Sequence, residues 1–150
     1  MKNLTIRNNI AIISVLFLCS CATPDKSQWM KQGGGDSYDG GRYIALDAYG
    51  NAIVTGRFQG SAVFDNHTLN GPGDDGIFLV KYSPDGKIIW AKEFGGKKEE
   101  AAYSMTTDSQ NNLFITGYFD DTAVFDSHTL ISKGEHDAFL AKCDTNGNVL

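Results

Sequence analysis

Phe64-Asp65-Asn66-His67-Thr68-Leu69 returns as Phe125-Asp126-Ser127-His128-Thr129-Leu130, 61 positions later. The same offset carries Trp29 onto Trp90, Asp47 onto Asp108, Asn51 onto Asn112, Thr55-Gly56 onto Thr116-Gly117, and Lys81 onto Lys142. Aligned without a gap, 29–89 and 90–150 agree at 21 of 61 positions. A period of this length marks a repeat architecture, in which each unit buries its apolar face against the next.

Within each copy the apolar pattern has a period of two. Ala52, Val54, Gly56 and Phe58 alternate with Ile53, Thr55 and Arg57, as Leu113, Ile115, Gly117 and Phe119 do with Phe114, Thr116 and Tyr118. The first set predicts one buried strand face in each copy. Turn chemistry flanks it, at Ala48-Tyr49-Gly50-Asn51 and Ser109-Gln110-Asn111-Asn112, because Gly and Asn tolerate a positive φ. There follow a hairpin over 62–69, a strand over 77–82, a turn at Ser83-Pro84-Asp85-Gly86 and a strand over 88–94. Gly95-Gly96 is expected to close the unit. No segment sustains a helical period, so the expectation is an all-β chain. Four or five hairpin-linked antiparallel strands, repeated, describe blades of a β-propeller.

Trp90-Ala91-Lys92-Glu93-Phe94-Gly95-Gly96, Asp47 with Gly50-Asn51, Thr55-Gly56 with Phe58, and Asp137-Ala138-Phe139-Leu140-Ala141-Lys142 resemble the bacterial β-propeller repeat known as SBBP. The resemblance covers 29–150. It implies a radial array of blades outside the cytoplasm, with no shared catalytic residues. Two repeats are too few to close a propeller, which takes about four blades. The second repeat ends within a strand, and an apolar strand edge left unpaired is one that natural proteins avoid. The expectation is therefore the N-terminal part of a longer array, in which the Trp29 strand could join the last blade. Assembly of two-repeat chains into a ring is the alternative.

The N-terminus reads as a targeting segment. Lys2 and Arg7 precede an apolar run over 10–18 that is too short for the roughly 20 residues of a membrane span, but suits a secretory signal. Leu18-Cys19-Ser20-Cys21 resembles the lipobox of bacterial lipoproteins. That resemblance implies cleavage between Ser20 and Cys21, with lipid on Cys21. The expected organisation is thus a signal peptide over 1–20, a tether over 21–28 and repeats over 29–89 and 90–150. Several acyl chains on one residue anchor a protein stably. Ala22 follows the cysteine where an aspartate would signal inner-membrane retention, which favours the outer membrane.

Without positions 1–20 the chain holds 11 basic and 18 acidic residues, a balance that disfavours nucleic acid as a partner. Cys143 would be left alone among the three cysteines, and as the counterpart of Tyr82 it is expected to pack rather than react. His67 and His128 occupy equivalent positions, and an active site is not copied once per blade. They read as hairpin residues, each bonding a neighbouring carbonyl. Together with Trp29, Trp90, Gly56, Gly117, Phe64 and Phe125 they form the expected repeat framework. His136, the counterpart of Asp75, reads as a loop substitution without a role. Asp74-Asp75 and Glu135-His136-Asp137 read as turns rather than a calcium site, and so does Asp144-Thr145-Asn146-Gly147-Asn148. Lys97-Lys98-Glu99-Glu100 reads as a solvated loop. No metal or cofactor site and no catalytic constellation is expected. The function implied is a lipid-anchored envelope protein whose blades bind or scaffold a protein or glycan. The competing reading places catalytic groups outside this stretch.

Overall fold

The computed structural model describes residues 28–71, 73 and 75–150. Ser20, Cys21 and the signal segment lie outside the described residues, as does most of the tether. The described chain is all-β. Its strands are β1 (Gly33–Gly34), β2 (Asp39–Leu46), β3 (Ala52–Phe58), β4 (Ser61–Phe64), β5 (His67–Asn70), β6 (Gly76–Tyr82), β7 (Ile88–Gly96), β8 (Glu100–Thr107), β9 (Leu113–Phe119), β10 (Thr122–Phe125), β11 (His128–Ile131) and β12 (Asp137–Cys143). In the first blade β2, β3, β6 and β7 lie side by side, every pair antiparallel, and the β4–β5 hairpin is inserted between β3 and β6. The second blade repeats this with β8, β9 and β12 and the β10–β11 hairpin.

The blades are one strand out of phase with the sequence repeat. β7 carries Trp90, which opens the second repeat, yet it pairs with β6 from Lys81↔Trp90 to Gly76↔Gly95 and completes the first blade. Gly95 and Gly96 do not close the unit as the sequence suggested. They extend β7 onto the next hairpin, where Gly95 faces Val124 and Gly96 faces Ala123. β1 makes the equivalent pairing with β4. The reason for glycine is a close backbone approach: a Cβ on Gly96 would stand 1.7 Å from the Thr122 carbonyl oxygen, and one on Gly35 1.9 Å from that of Ser61.

The core sits between the blades. Ile53, Ile77, Leu79 and Phe94 of the first blade pack with Met105, Leu113, Ile115, Phe119, Phe125, Phe139 and Cys143 of the second. A second cluster, of Phe58, Phe64, Leu69, Phe78, Val80 and Tyr82, lies on the other face of the first blade. Strand β3 is therefore buried on both faces: Ile53 and Thr55 are as enclosed as Phe58. The sequence had assigned it one apolar face. In β9 the corresponding side carries Phe114, Thr116 and Tyr118, half-buried or exposed. Leu140, the counterpart of fully buried Leu79, is 73% exposed. Each large side chain enclosed at the junction contributes on the order of 2 kcal/mol, so the inter-blade face is a main source of stability.

Candidate functional site

The framework residues make the same bonds in both copies. The Trp29 indole N–H donates to the Pro84 carbonyl (3.1 Å) and that of Trp90 to the Thr145 carbonyl (3.3 Å). Each indole packs on the turn glycine beside that carbonyl, Gly86 and Gly147 respectively. Thr55 and Thr116 donate from Oγ1 to the carbonyls of Phe78 and Phe139. Gly56 and Gly117 stand opposite β-bulges, at Gly41/Tyr43 and Ala102/Ser104, which push a carbonyl towards them. Phe64 packs on Phe78, and Phe125 on Phe139, both at 4.8 Å between ring centroids.

His67 and His128 pair with Phe64 and Phe125 at the mouths of their two-residue hairpin loops. Their place in the hairpins is as expected, but the expected bond to a carbonyl is not: His67 Nδ1 is buried without a hydrogen-bond partner. Cys143 is buried in the core, and its enclosure, with Asp126 and Asp144 nearby, pushes the thiol up to about 11. A thiol so enclosed is not a reactive one.

The two ends of the blades differ in character. One rim is made of tight turns, each folded around a side chain. Asp47 accepts from the amides of Tyr49 and Asn51 and from the Asn51 side chain, and Asp108 and Asp144 repeat the pattern with Asn112 and Asn148. The loop at 144–148 is thereby folded around the Asp144 carboxylate as a turn. Burial alone would raise Asp47, yet hydrogen bonds from Asn51, Lys81 and two amides hold it at about 2. Lys81, 2.9 Å from Asp47, also donates to the Thr145 carbonyl and so ties the first blade to the second.

The other rim is made of looser loops, and here the copies diverge. Arg57 at the end of β3 reaches Asp75 (3.4 Å) and stacks on Tyr38 (4.4 Å to the ring centroid). The corresponding positions hold Tyr118, His136 and Glu99. Here Tyr118 packs against His136, whose Nδ1 bonds Asp120, so His136 has a partner that the sequence did not indicate. Asp75 is 2% exposed rather than a surface turn residue, because the β7–β8 loop covers it and its amide donates to the Lys98 carbonyl. The run at 97–100 is solvated only as far as Glu99. Glu100 is fully buried, since it opens β8 against the first blade. The signal for this lay in the repeat: an acid follows Gly-Gly at the same spacing in both copies, Asp39 after Gly34-Gly35 and Glu100 after Gly95-Gly96.

Beside this joint lies a shallow groove of about 590 Å³, lined by Lys98, Asp120, Asp121, Ser132, Lys133 and Glu135. Among the described residues no three His, Cys, Asp or Glu side chains converge as ligands for a metal ion. The arrangement can offer hydrogen bonds, charge and ring faces to a ligand, as binding surfaces on rigid frames do.

No family model matches the chain. It is 31% identical over 127 residues to a WD repeat-containing protein of Acanthamoeba polyphaga mimivirus that is described as uncharacterized. The match covers 71% of this chain and 9% of that protein, so the chain spans a small part of the relative's length. Antiparallel blades in repeated order and this likeness together show a β-propeller-type repeat protein.

Proposed function

We propose that the chain is a lipid-anchored protein of the bacterial envelope whose propeller blades form a binding or scaffolding module. The observation that carries the binding role is the contrast between the framework and the rim of looser loops. Framework positions such as Trp29/Trp90 and Thr55/Thr116 keep both residue and bond from one copy to the next, whereas Tyr38/Glu99, Arg57/Tyr118 and Asp75/His136 do not. Positions released from the repeat while the frame around them is held are where a repeat protein acquires individual recognition. The ligand class that suits exposed rings beside carboxylates and lysines is a protein or a glycan. Further blades fit the same reading, because Phe114 and Leu140 lie on the face whose counterpart, Ile53 and Leu79, is buried at the observed junction.

Anchoring rests on the Leu18-Cys19-Ser20-Cys21 resemblance, with the outer membrane as the proposed site. Replacing Cys21 by Ser is expected to abolish labelling by a fatty-acid analogue and to move the protein from the membrane to the soluble fraction. Unchanged labelling would overturn the anchor. For the binding role, a photo-crosslinking residue at Tyr38, on the variable rim, is compared in intact cells with one at Tyr49 on the turn rim. Discrete adducts are expected from position 38 and not from 49. Absence of adducts at 38, or the same adducts at both, would remove the rim from the proposal.

A further inference from the structure

Glu100 has no role in the framework and none in the proposed recognition, yet it is the most enclosed acid of the described chain. It lies where the blades meet, at the start of β8 beneath the end of β7. Cβ atoms built on Gly95 and Gly96 would stand 3.0 Å and 2.9 Å from its two carboxyl oxygens. Both oxygens are buried without a hydrogen-bond partner, and so is Oδ1 of Asp75. A carboxylate in such a place carries a large desolvation penalty. In the first blade the shorter Asp39 avoids part of it, because its Oδ2 accepts the Gly35 amide at 2.7 Å. The Glu100 carboxyl, one methylene longer, lies near the Gly96 and Lys98 amides but makes no such hydrogen bond.

We infer that Glu100 is a proton-dependent lock on the joint between the two blades: the joint is tight while its carboxyl is protonated and loosens when the proton leaves. The groups facing it come from every element that meets there. Asp75 precedes β6 and has the Arg57 guanidinium 3.4 Å away, while Asp120 follows β9 and is bonded to His136. Lys97, Lys98 and Glu99 of its own loop are exposed. A proton on Glu100 removes one of three neighbouring negative charges and provides a donor among unpartnered acceptors. The loop it would release, 96–99, also carries the Lys98 carbonyl that holds the Asp75 amide and the Glu99 carbonyl that holds the Asp120 amide. Loosening at one carboxyl is thus transmitted to both sides of the variable rim.

Burial is the main influence on this group. With Asp120 and Asp75 adding to it, and the Gly96 and Lys98 amides opposing it, burial lifts the carboxyl to about 7 from an ordinary 4.5. The folded value lies above the unfolded one. The stabilising contribution is therefore complete below about 4.5 and is lost as the pH rises through about 7.

The test is the thermal midpoint of the full chain in detergent between pH 5 and 8.5, for the wild type and for Glu100→Gln, which stays neutral throughout. The wild-type midpoint should fall by about 5 °C or more across this range, and the variant should lose most of that slope. Equal slopes in the two proteins would overturn the lock. Hydrogen exchange of the amides at 96–101 in the unmodified protein, corrected for intrinsic rate, decides the matter should the variant not fold. Protection should drop about tenfold between pH 6 and 8. Protection independent of pH would equally overturn the proposal.

Discussion

Gly117 shows how little room a framework position leaves. A Cβ there would come within 1.9 Å of the Ala101 carbonyl oxygen and 2.9 Å of the Ala102 Cα, both backbone atoms of the bulged β8. No rotamer change relieves such a contact, so the strand pairing itself must yield. Gly117→Ala is expected to cost about 3 kcal/mol or to prevent folding, as overpacking against backbone does. Gly134→Ala is the control, since nothing lies within 4 Å of a Cβ at that position. It should leave the urea midpoint within the range of surface substitutions, about 0.5 kcal/mol. Comparable losses in the two variants would refute the bulge argument. At this scale the sequence was informative wherever a residue recurs: Trp29 and Trp90, Thr55 and Thr116, and both glycines could be marked before any contact was known. For burial of charge it offered only the acid that recurs four residues after Gly-Gly in each copy. Glu100 is flanked by exposed Lys98 and Glu99, and only the packing of β8 on the first blade separates it from them.

Among the elements, the hairpins were the most legible, and the loops around them can be read against each other. Gly60, just before β4, has φ 69°, and its counterpart before β10 is Asp121 with φ 55°. The backbone shape is the same and only the residue differs. A non-glycine residue in the left-handed region costs roughly 1 kcal/mol, less for Asp than for most. The Asp121 side chain offers little in return, one exposed bond from the Thr122 hydroxyl at 3.3 Å. Asp121→Gly is therefore expected to stabilise the chain by about 0.5 kcal/mol, the gain being reduced by the greater freedom of glycine when unfolded. A lowered urea midpoint would show that the side chain matters more than the backbone strain. The strand expected over 88–94 is present as β7, and only its end departs from the sequence reading, for a related reason. Gly95-Gly96 carries the composition of a terminator, but here glycine permits close approach of Thr122, and a sequence cannot distinguish a chain that turns from one that touches. The blade phase was hidden in the same way, because a repeat fixes a period without fixing where a hydrogen-bonded unit begins.

For the whole molecule the decisive feature is that the blades stack face to face, so protection from solvent depends on a strand's place in the stack rather than on its composition. β3 and β6 lie in the middle of the first blade with a cluster on each side, and every residue of β6 is buried. β9 and β12 have nearly the same sequence pattern, but the core covers one face only: Ile115, Phe139 and Cys143 are enclosed, whereas Phe114 and Leu140 are not. Amide exchange follows the free energy of the opening that exposes each bond, and a strand packed on both faces opens only with both layers. In the 150-residue chain, exchange at Ile53–Thr55 and Leu79–Lys81 should therefore be slowest. Exchange at Thr116 and at Leu140 should be at least about tenfold faster, which corresponds to about 1.4 kcal/mol of difference in opening free energy. The comparison is made between repeat-equivalent residues, so intrinsic propensity is nearly constant across each pair. Equal protection in the two blades would mean that the outer face of the second blade is covered in solution, and that something packs on Phe114 and Leu140 as the second blade packs on Ile53 and Leu79.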